Sequence, residues 1–111
     1  MADRFRFLAA YSHQPNKFAP AQAAAIVTLS SATDFAARTP EARTLSERLA
    51  MLACGFRAST PAELLAVEAP CLLAREGRTI ADDLAALSRL LGEGVRVEAV
   101  SLVLADGAPG A

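Results

Sequence analysis

The pattern of apolar and polar residues predicts strands near both ends of the chain. Phe5 and Phe7 alternate with arginines, a period of two typical of a strand with one buried face. The polar stretch 12–17 predicts a loop after this strand. At the other end, residues 95–104 are dense in aliphatic and β-branched side chains, and their alternation changes phase near Ala99. That change predicts either a β-bulge near Ala99 or a second half buried on both faces.

Alanine-rich and leucine-striped segments between these strands predict helices. Residues 21–37 follow Pro20 and are rich in alanine, the best helix former, so they predict a first helix with Asp34 near a second start. Thr39 and Thr44 are alternative N-caps for a second helix that Gly55 closes. One apolar stripe marks this second helix: Leu45, Leu49, Leu52 and Phe56.

Two further helices have their own capping signals. Thr60 and Glu63 frame a proline and predict a short helix over 61–68, with one more helical turn ending at Gly77. Thr79 begins the last helix, where Asp82 and Asp83 fall in the first turn and Gly92 stands just beyond the end. The apolar stripe of this last helix comprises Ile80, Leu84, Leu87 and Leu91.

Together these elements predict a helix-rich α+β fold with short N- and C-terminal strands and about four short helices between them. At 111 residues, of which 53% are hydrophobic, the chain fits one globular domain over 1–111, with flexible ends at 1–3 and 106–111. No segment is long and apolar enough to cross a membrane, and no export signal is visible, so we expect a soluble, cytoplasmic protein.

Charge and cysteine content narrow the function classes. The net charge is −1 and the arginines are scattered, which disfavours nucleic acid as a partner because phosphate contacts dominate that affinity. A DNA-associated transcription regulator that uses the helix pair over 45–67 is the alternative. Cys54 and Cys71 lie among alanines and leucines, without metal-ligand spacing, so we expect buried core residues.

The residues that could carry chemistry have simpler structural explanations. His13, the only histidine, is expected in a solvated loop, and Asp82 and Asp83 are explained by the helix dipole. No catalytic, cofactor-binding or metal-binding residue is assigned, and no phosphate-binding or hydrolase motif is present. An enzyme is therefore disfavoured; a small enzyme or ligand-binding protein without a local motif is the second alternative.

The favoured hypothesis is a non-enzymatic accessory or regulatory protein that acts through protein–protein contact. A two-stranded sheet is marginal in water, and the uncharged, β-prone segment around 100–104 needs cover. We therefore expect a homodimer held in part by the last strand, with Val100, Leu102 and Leu104 as its self-association residues.

Overall fold

The computed structural model describes residues 4–69, 72–74 and 79–105, which form three strands and four helices. The predicted flexible ends and the turn at Gly77 lie outside the described residues, as do Cys71 and Pro70. In chain order the elements are β1 (Phe5–His13), β2 (Ala23–Ser31), α1 (Asp34–Ala37), α2 (Pro40–Phe56), α3 (Pro61–Leu65), α4 (Ile80–Leu91) and β3 (Arg96–Leu104).

The three strands form one antiparallel sheet in the order β1-β2-β3, so β2 lies in the centre. The register of β2 with β3 shifts by one residue: Thr28 pairs with Ala99, and the next residue, Leu29, pairs with Val97. Glu98 is the extra residue. The bulge predicted near Ala99 is confirmed, and it explains why the apolar phase of β3 changes.

The central strand corrects the predicted fold class. The helix expected over 21–37 is wrong: most of that segment is β2, followed by the single-turn helix α1. The fold is α+β, but the helix-rich layout with only two short strands is also wrong, because each of the three strands has nine residues. Burial alternates along β2, where Ala25, Val27 and Leu29 are buried. Packing in the sheet has overridden the helix propensity of alanine.

The helices cover one face of the sheet, and α2 lies across β1 and β2. Both layers contribute alanines to this core, since small side chains take little space between layers. They include Ala25 on β2 and Ala50 and Ala53 on α2, all fully or almost fully buried. The largest buried side chains are Leu29, Leu45, Leu49, Leu64, Ile80 and Leu87.

The ends of the helices mostly follow the predicted caps. Thr39, rather than Thr44, caps α2 by accepting the N–H of Ala42. Gly55 does not close α2, because Arg57 takes the left-handed conformation there, with φ 53°. Phe56, the last residue of the predicted stripe, is exposed.

The two later helices agree with their predicted starts. Thr60 caps α3, which ends at Leu65 and is shorter than expected. Thr79 and Asp82 form a reciprocal capping box on α4, and Gly92 closes it at φ 71°. Ile80, Leu84 and Leu87 of the predicted stripe are buried, which confirms the face that α4 turns to the core.

Candidate interaction surface

The face of the sheet that points away from the helices is uncovered among the described residues. Because side chains alternate along a strand, the residues flanking the core-facing Ala9, Val27 and Leu102 project from this face. Three of them are large and apolar, one on each strand: Leu8 is 64% exposed, Ile26 44% and Val103 66%. We call this surface the open face.

Small residues fill the space around these three side chains. The strand register aligns Leu8 with Thr28 and then Ala99, places Ile26 between Ala10 and Ser101, and aligns Val103 with Ala24 and then Ser12. The three large residues therefore lie on a diagonal across the sheet, and small side chains lie on both sides of that diagonal. Single exposed apolar residues are common in proteins, but an apolar ridge that crosses a whole sheet is typical of an interaction site.

A charged cluster closes one end of the open face. Ser30 projects from this face yet is fully buried, because Arg4 and Glu98 lie over it. The guanidinium of Arg4 donates to Ser30 Oγ at 2.8 Å and to the Gly94 carbonyl at 2.7 Å, and Ser30 Oγ donates to Glu98 Oε1. The bulge thus brings Glu98 to the polar end of the sheet.

The hydroxyl of Ser30 also acts on the ionisation of Glu98. Its hydrogen bond lowers the pKa of that carboxyl below its ordinary 4.5, and the nearby charges of Arg6, Arg4 and Arg96 act in the same direction. Two of these arginines, Arg6 and Arg96, are exposed at the same end of the open face. This end is polar and the rest of the face is apolar or small.

The residues predicted for self-association lie on the opposite face. Val100, Leu102 and Leu104 point to the helix side, where they are partly buried, and the first two pack against the core. Strand β3 is nevertheless an edge strand, as is β1. This topology is consistent with the expected unpaired edge at β3. The large exposed side chains of β2 and β3, however, lie on the open face and not on the face of Val100, Leu102 and Leu104.

A cleft of about 440 Å³ lies between the end of the sheet and the C-terminal end of α2. The prediction that His13 lies in a loop is wrong, because His13 is the last residue of β1. The hydroxyl of Tyr11, on the same strand, lies 3.4 Å from His13 Nδ1. Cys54 borders the same cleft and donates its thiol to the Tyr11 carbonyl at 3.7 Å. The remaining lining is Gln22, Ala23, Met51, Gly55, Arg57 and Leu104.

Cys54 is the thiol that borders this cleft. Burial raises the pKa of the Cys54 thiol above its ordinary 9.0, so at neutral pH the group is a thiol rather than the thiolate that acts as a nucleophile. The expectation that Cys54 is a buried core residue is confirmed. Within the described ranges, no cluster of three or more His, Cys, Asp and Glu side chains could hold a metal ion.

Asp83 lies in the first turn of α4, as predicted, but its carboxylate is buried and has a further role. Asp82 forms the capping box as expected, but Asp83 is fully buried and accepts three backbone N–H groups. Its Oδ2 accepts from Leu72 at 2.7 Å, and its Oδ1 accepts from Leu73 at 2.6 Å and Ala74 at 2.9 Å. This carboxylate fixes the segment 72–74 on α4, which is a structural role.

The helix pair proposed for DNA consists of α2 and the five-residue α3. The side chains of α3 are those of proline, alanine, glutamate and two leucines, so α3 has no arginine, lysine, asparagine or glutamine for base edges. Of the helices described, none has the length and apolar character that crossing a membrane requires.

Comparison with models of known protein families finds no match for this chain, and comparison with curated proteins finds none either.

Proposed function

We propose that this protein is a non-enzymatic accessory or regulatory protein that acts through protein–protein contact, and that it forms a homodimer through the open face. The observation that carries the proposal is the exposure of one large apolar side chain on each of three neighbouring strands. Leu8, Ile26 and Val103 retain 64%, 44% and 66% of their accessible surface.

The energetic argument concerns water at this face. Removing a leucine, isoleucine or valine side chain from water contributes about 1.5–3 kcal/mol when burial is complete, so three partly exposed side chains offer several kcal/mol to a partner. The flanking alanines, serines and threonine have little side-chain entropy to lose on ordering. An uncovered apolar sheet also risks unspecific association, which a specific partner prevents.

A pair of leucine variants tests the proposal. Leu8 is 64% exposed on the open face and Leu90 is 60% exposed on α4, so Leu8→Lys and Leu90→Lys make the same chemical change at matched exposure. We expect light scattering over a concentration series to show dimers for the wild type and Leu90→Lys, and monomers for Leu8→Lys. A wild type that stays monomeric at high micromolar concentration would refute self-association, and equal behaviour of the two variants would refute the role of the open face.

A second candidate function is small-molecule binding in the cleft beside His13. Its lining combines polar groups, among them Tyr11 and Gln22, with apolar residues such as Ala23 and Met51, a composition typical of ligand pockets. Screening small carboxylates and amides by NMR would test this function. Saturable shifts of the His13 ring signals, lost in Met51→Lys, would support it, and unchanged signals at millimolar concentration would contradict it.

A further inference from the structure

We infer that the second copy binds the open face with a two-fold axis that runs across the strands and passes Ile26. This inference rests on the proposed function and adds the geometry of the dimer. It follows from the order of large and small residues on the open face, from the position of the charges and from the size of the sheet.

The open face has an internal symmetry in its residue sizes. Its three apolar rows are Leu8–Thr28–Ala99, Ala10–Ile26–Ser101 and Ser12–Ala24–Val103. Rotation by half a turn about Ile26 exchanges large with large, since Leu8 takes the place of Val103. The same rotation exchanges only small or medium residues elsewhere in the three rows.

A two-fold axis across the strands makes the open faces of the two copies complementary in shape. Such an axis exchanges the first and third rows, so that Leu8 of one copy meets Ser12 of the second copy and Val103 meets Ala99. Each large side chain of one copy then packs over a small side chain of the other copy, as shape complementarity at an interface core requires. The two Ile26 side chains lie next to each other at the axis, flanked by Ala10 and Ser101.

Charge distinguishes this axis from the other in-plane choice. An axis along the strands would also place Leu8 on a small residue, Ala99, but it would superpose the arginine ends and bring Arg6 of one copy against Arg96 of the other. Juxtaposed like charges oppose association. With the axis across the strands, the arginine end of each copy lies beyond the last apolar row of the other, near Gln22, which is neutral.

The size of the sheet sets the strength of the dimer. Three strands of nine residues span a footprint of about 30 by 14 Å, or roughly 400 Å² per copy, at about 3.4 Å per residue and 4.8 Å per strand. Stable complexes bury about 800 Å² per partner, and smaller interfaces belong to weak or transient complexes. We therefore expect a dissociable dimer with a dissociation constant in the micromolar range.

Opposite charges at position 26 test whether the axis passes there. Ile26→Lys and Ile26→Glu each place two like charges together at the axis, and we expect each to weaken the dimer at least about tenfold in sedimentation velocity. A one-to-one mixture should recover most of the wild-type affinity, because lysine then meets glutamate. Leu90→Lys mixed with Leu90→Glu is the matched control, with no change expected. A mixture as weak as the single variants would overturn the inference.

Cysteine pairs test the direction of the axis independently of charge. In a Cys54→Ala, Cys71→Ala background, a mass-tagged Leu8→Cys protein is mixed with untagged Ser12→Cys or Ala99→Cys and treated with a short bis-maleimide. The axis across the strands predicts at least tenfold more hetero-crosslink with Ser12→Cys. More crosslink with Ala99→Cys, or equal yields, would overturn the inference.

The two levels of the proposal fail in different ways. If the wild type is monomeric at high micromolar concentration, the proposed function fails together with this geometry. If the wild type is dimeric, Leu8→Lys is monomeric and the crosslinks favour Ala99→Cys, only the geometry of the dimer is wrong.

Discussion

The buried carboxylate of Asp83 accepts three backbone N–H groups, so replacing one of its oxygens should destabilise the fold. In Asp83→Asn one carboxylate oxygen remains an acceptor for Leu73 and Ala74, but an NH2 group replaces the oxygen that accepts from Leu72 at 2.7 Å. Two donors then face each other, and one buried N–H loses its acceptor at a cost of about 1–3 kcal/mol. The other two hydrogen bonds lose their charge assistance, about 1 kcal/mol each.

Relief of the buried charge offsets part of this loss, so we expect the free energy of unfolding to fall by about 2–4 kcal/mol. Chemical denaturation at neutral pH measures the change, and Asp82→Asn, the same substitution one residue earlier, is the control with an expected loss of about 1 kcal/mol. Hydrogen exchange at the amides of Leu72, Leu73 and Ala74 should accelerate at least tenfold in Asp83→Asn. Equal destabilisation by the two variants, or unchanged exchange, would refute the assigned role.

Four further substitutions or conditions test other parts of the account. Leu87→Ala should lower the free energy of unfolding by about 2–5 kcal/mol, because Leu87 is fully buried in the stripe of α4; a loss below about 1 kcal/mol would contradict that packing. Thr60→Ala should cost roughly 1 kcal/mol through loss of the α3 cap, and an unchanged denaturation midpoint would show that the cap contributes nothing. Leu102→Lys should destabilise the monomer itself, since Leu102 faces the helices; a variant as stable as the wild type in denaturant would contradict its packing against the core. Hydrogen bonds lower the pKa of Glu98 and of Glu93, chiefly from Ser30 to Glu98 and from the backbone N–H of Thr33 to Glu93, so the stabilisation from these carboxylates is present above about pH 4.5 and is lost as pH falls through their lowered pKa values. Glu98→Gln should therefore reduce the loss of stability in acid, measured by denaturation at several pH values. An unchanged acid sensitivity in this variant would contradict the Ser30–Glu98 contact.

Local signals in the sequence predict the helices because capping is a short-range interaction. The caps at Thr60 and Thr79 each require only a side-chain oxygen and an N–H three residues later, so residue order specifies them. The bulge in β3 is visible for a similar reason, since an extra residue moves every later side chain to the other face. Strand β1 is predicted from the alternation of Phe5 and Phe7 but continues through His13, beyond the predicted end.

The central strand could not be predicted because alanine hides its alternation. Ala24 projects from the open face and Ala25 from the covered face, yet both count as apolar in any periodicity. Their helix propensity is an intrinsic preference of less than 1 kcal/mol per residue, and pairing with two neighbouring strands outweighs it. The β-branched run Ile26, Val27 and Thr28 is the signal that could have indicated a strand.

The open face depended on that missing strand. Without β2 there is no sheet on which Leu8 and Val103 can share a surface, and the uncharged, β-prone segment around 100–104 predicts self-association at Val100, Leu102 and Leu104 instead. Val100, Leu102 and Leu104 project from the helix-covered face of β3 and Val103 projects from the open face, because neighbouring residues of a strand lie on opposite faces. The partners of Asp83 could not be predicted for a comparable reason: the fold, rather than helical spacing, brings the segment 72–74 to its carboxylate.

The central claim is that the open face is an interface, and the methyl signals of its large side chains test it most directly. Dilution of the wild type from high to low micromolar concentration should shift the NMR signals of Leu8, Ile26 and Val103 in concert along one binding curve. The methyls of Leu87, buried on the far side of the fold, should remain unchanged and act as the internal control. Open-face signals that do not depend on concentration, or shifts confined to residues of α2 and α4, would contradict the account.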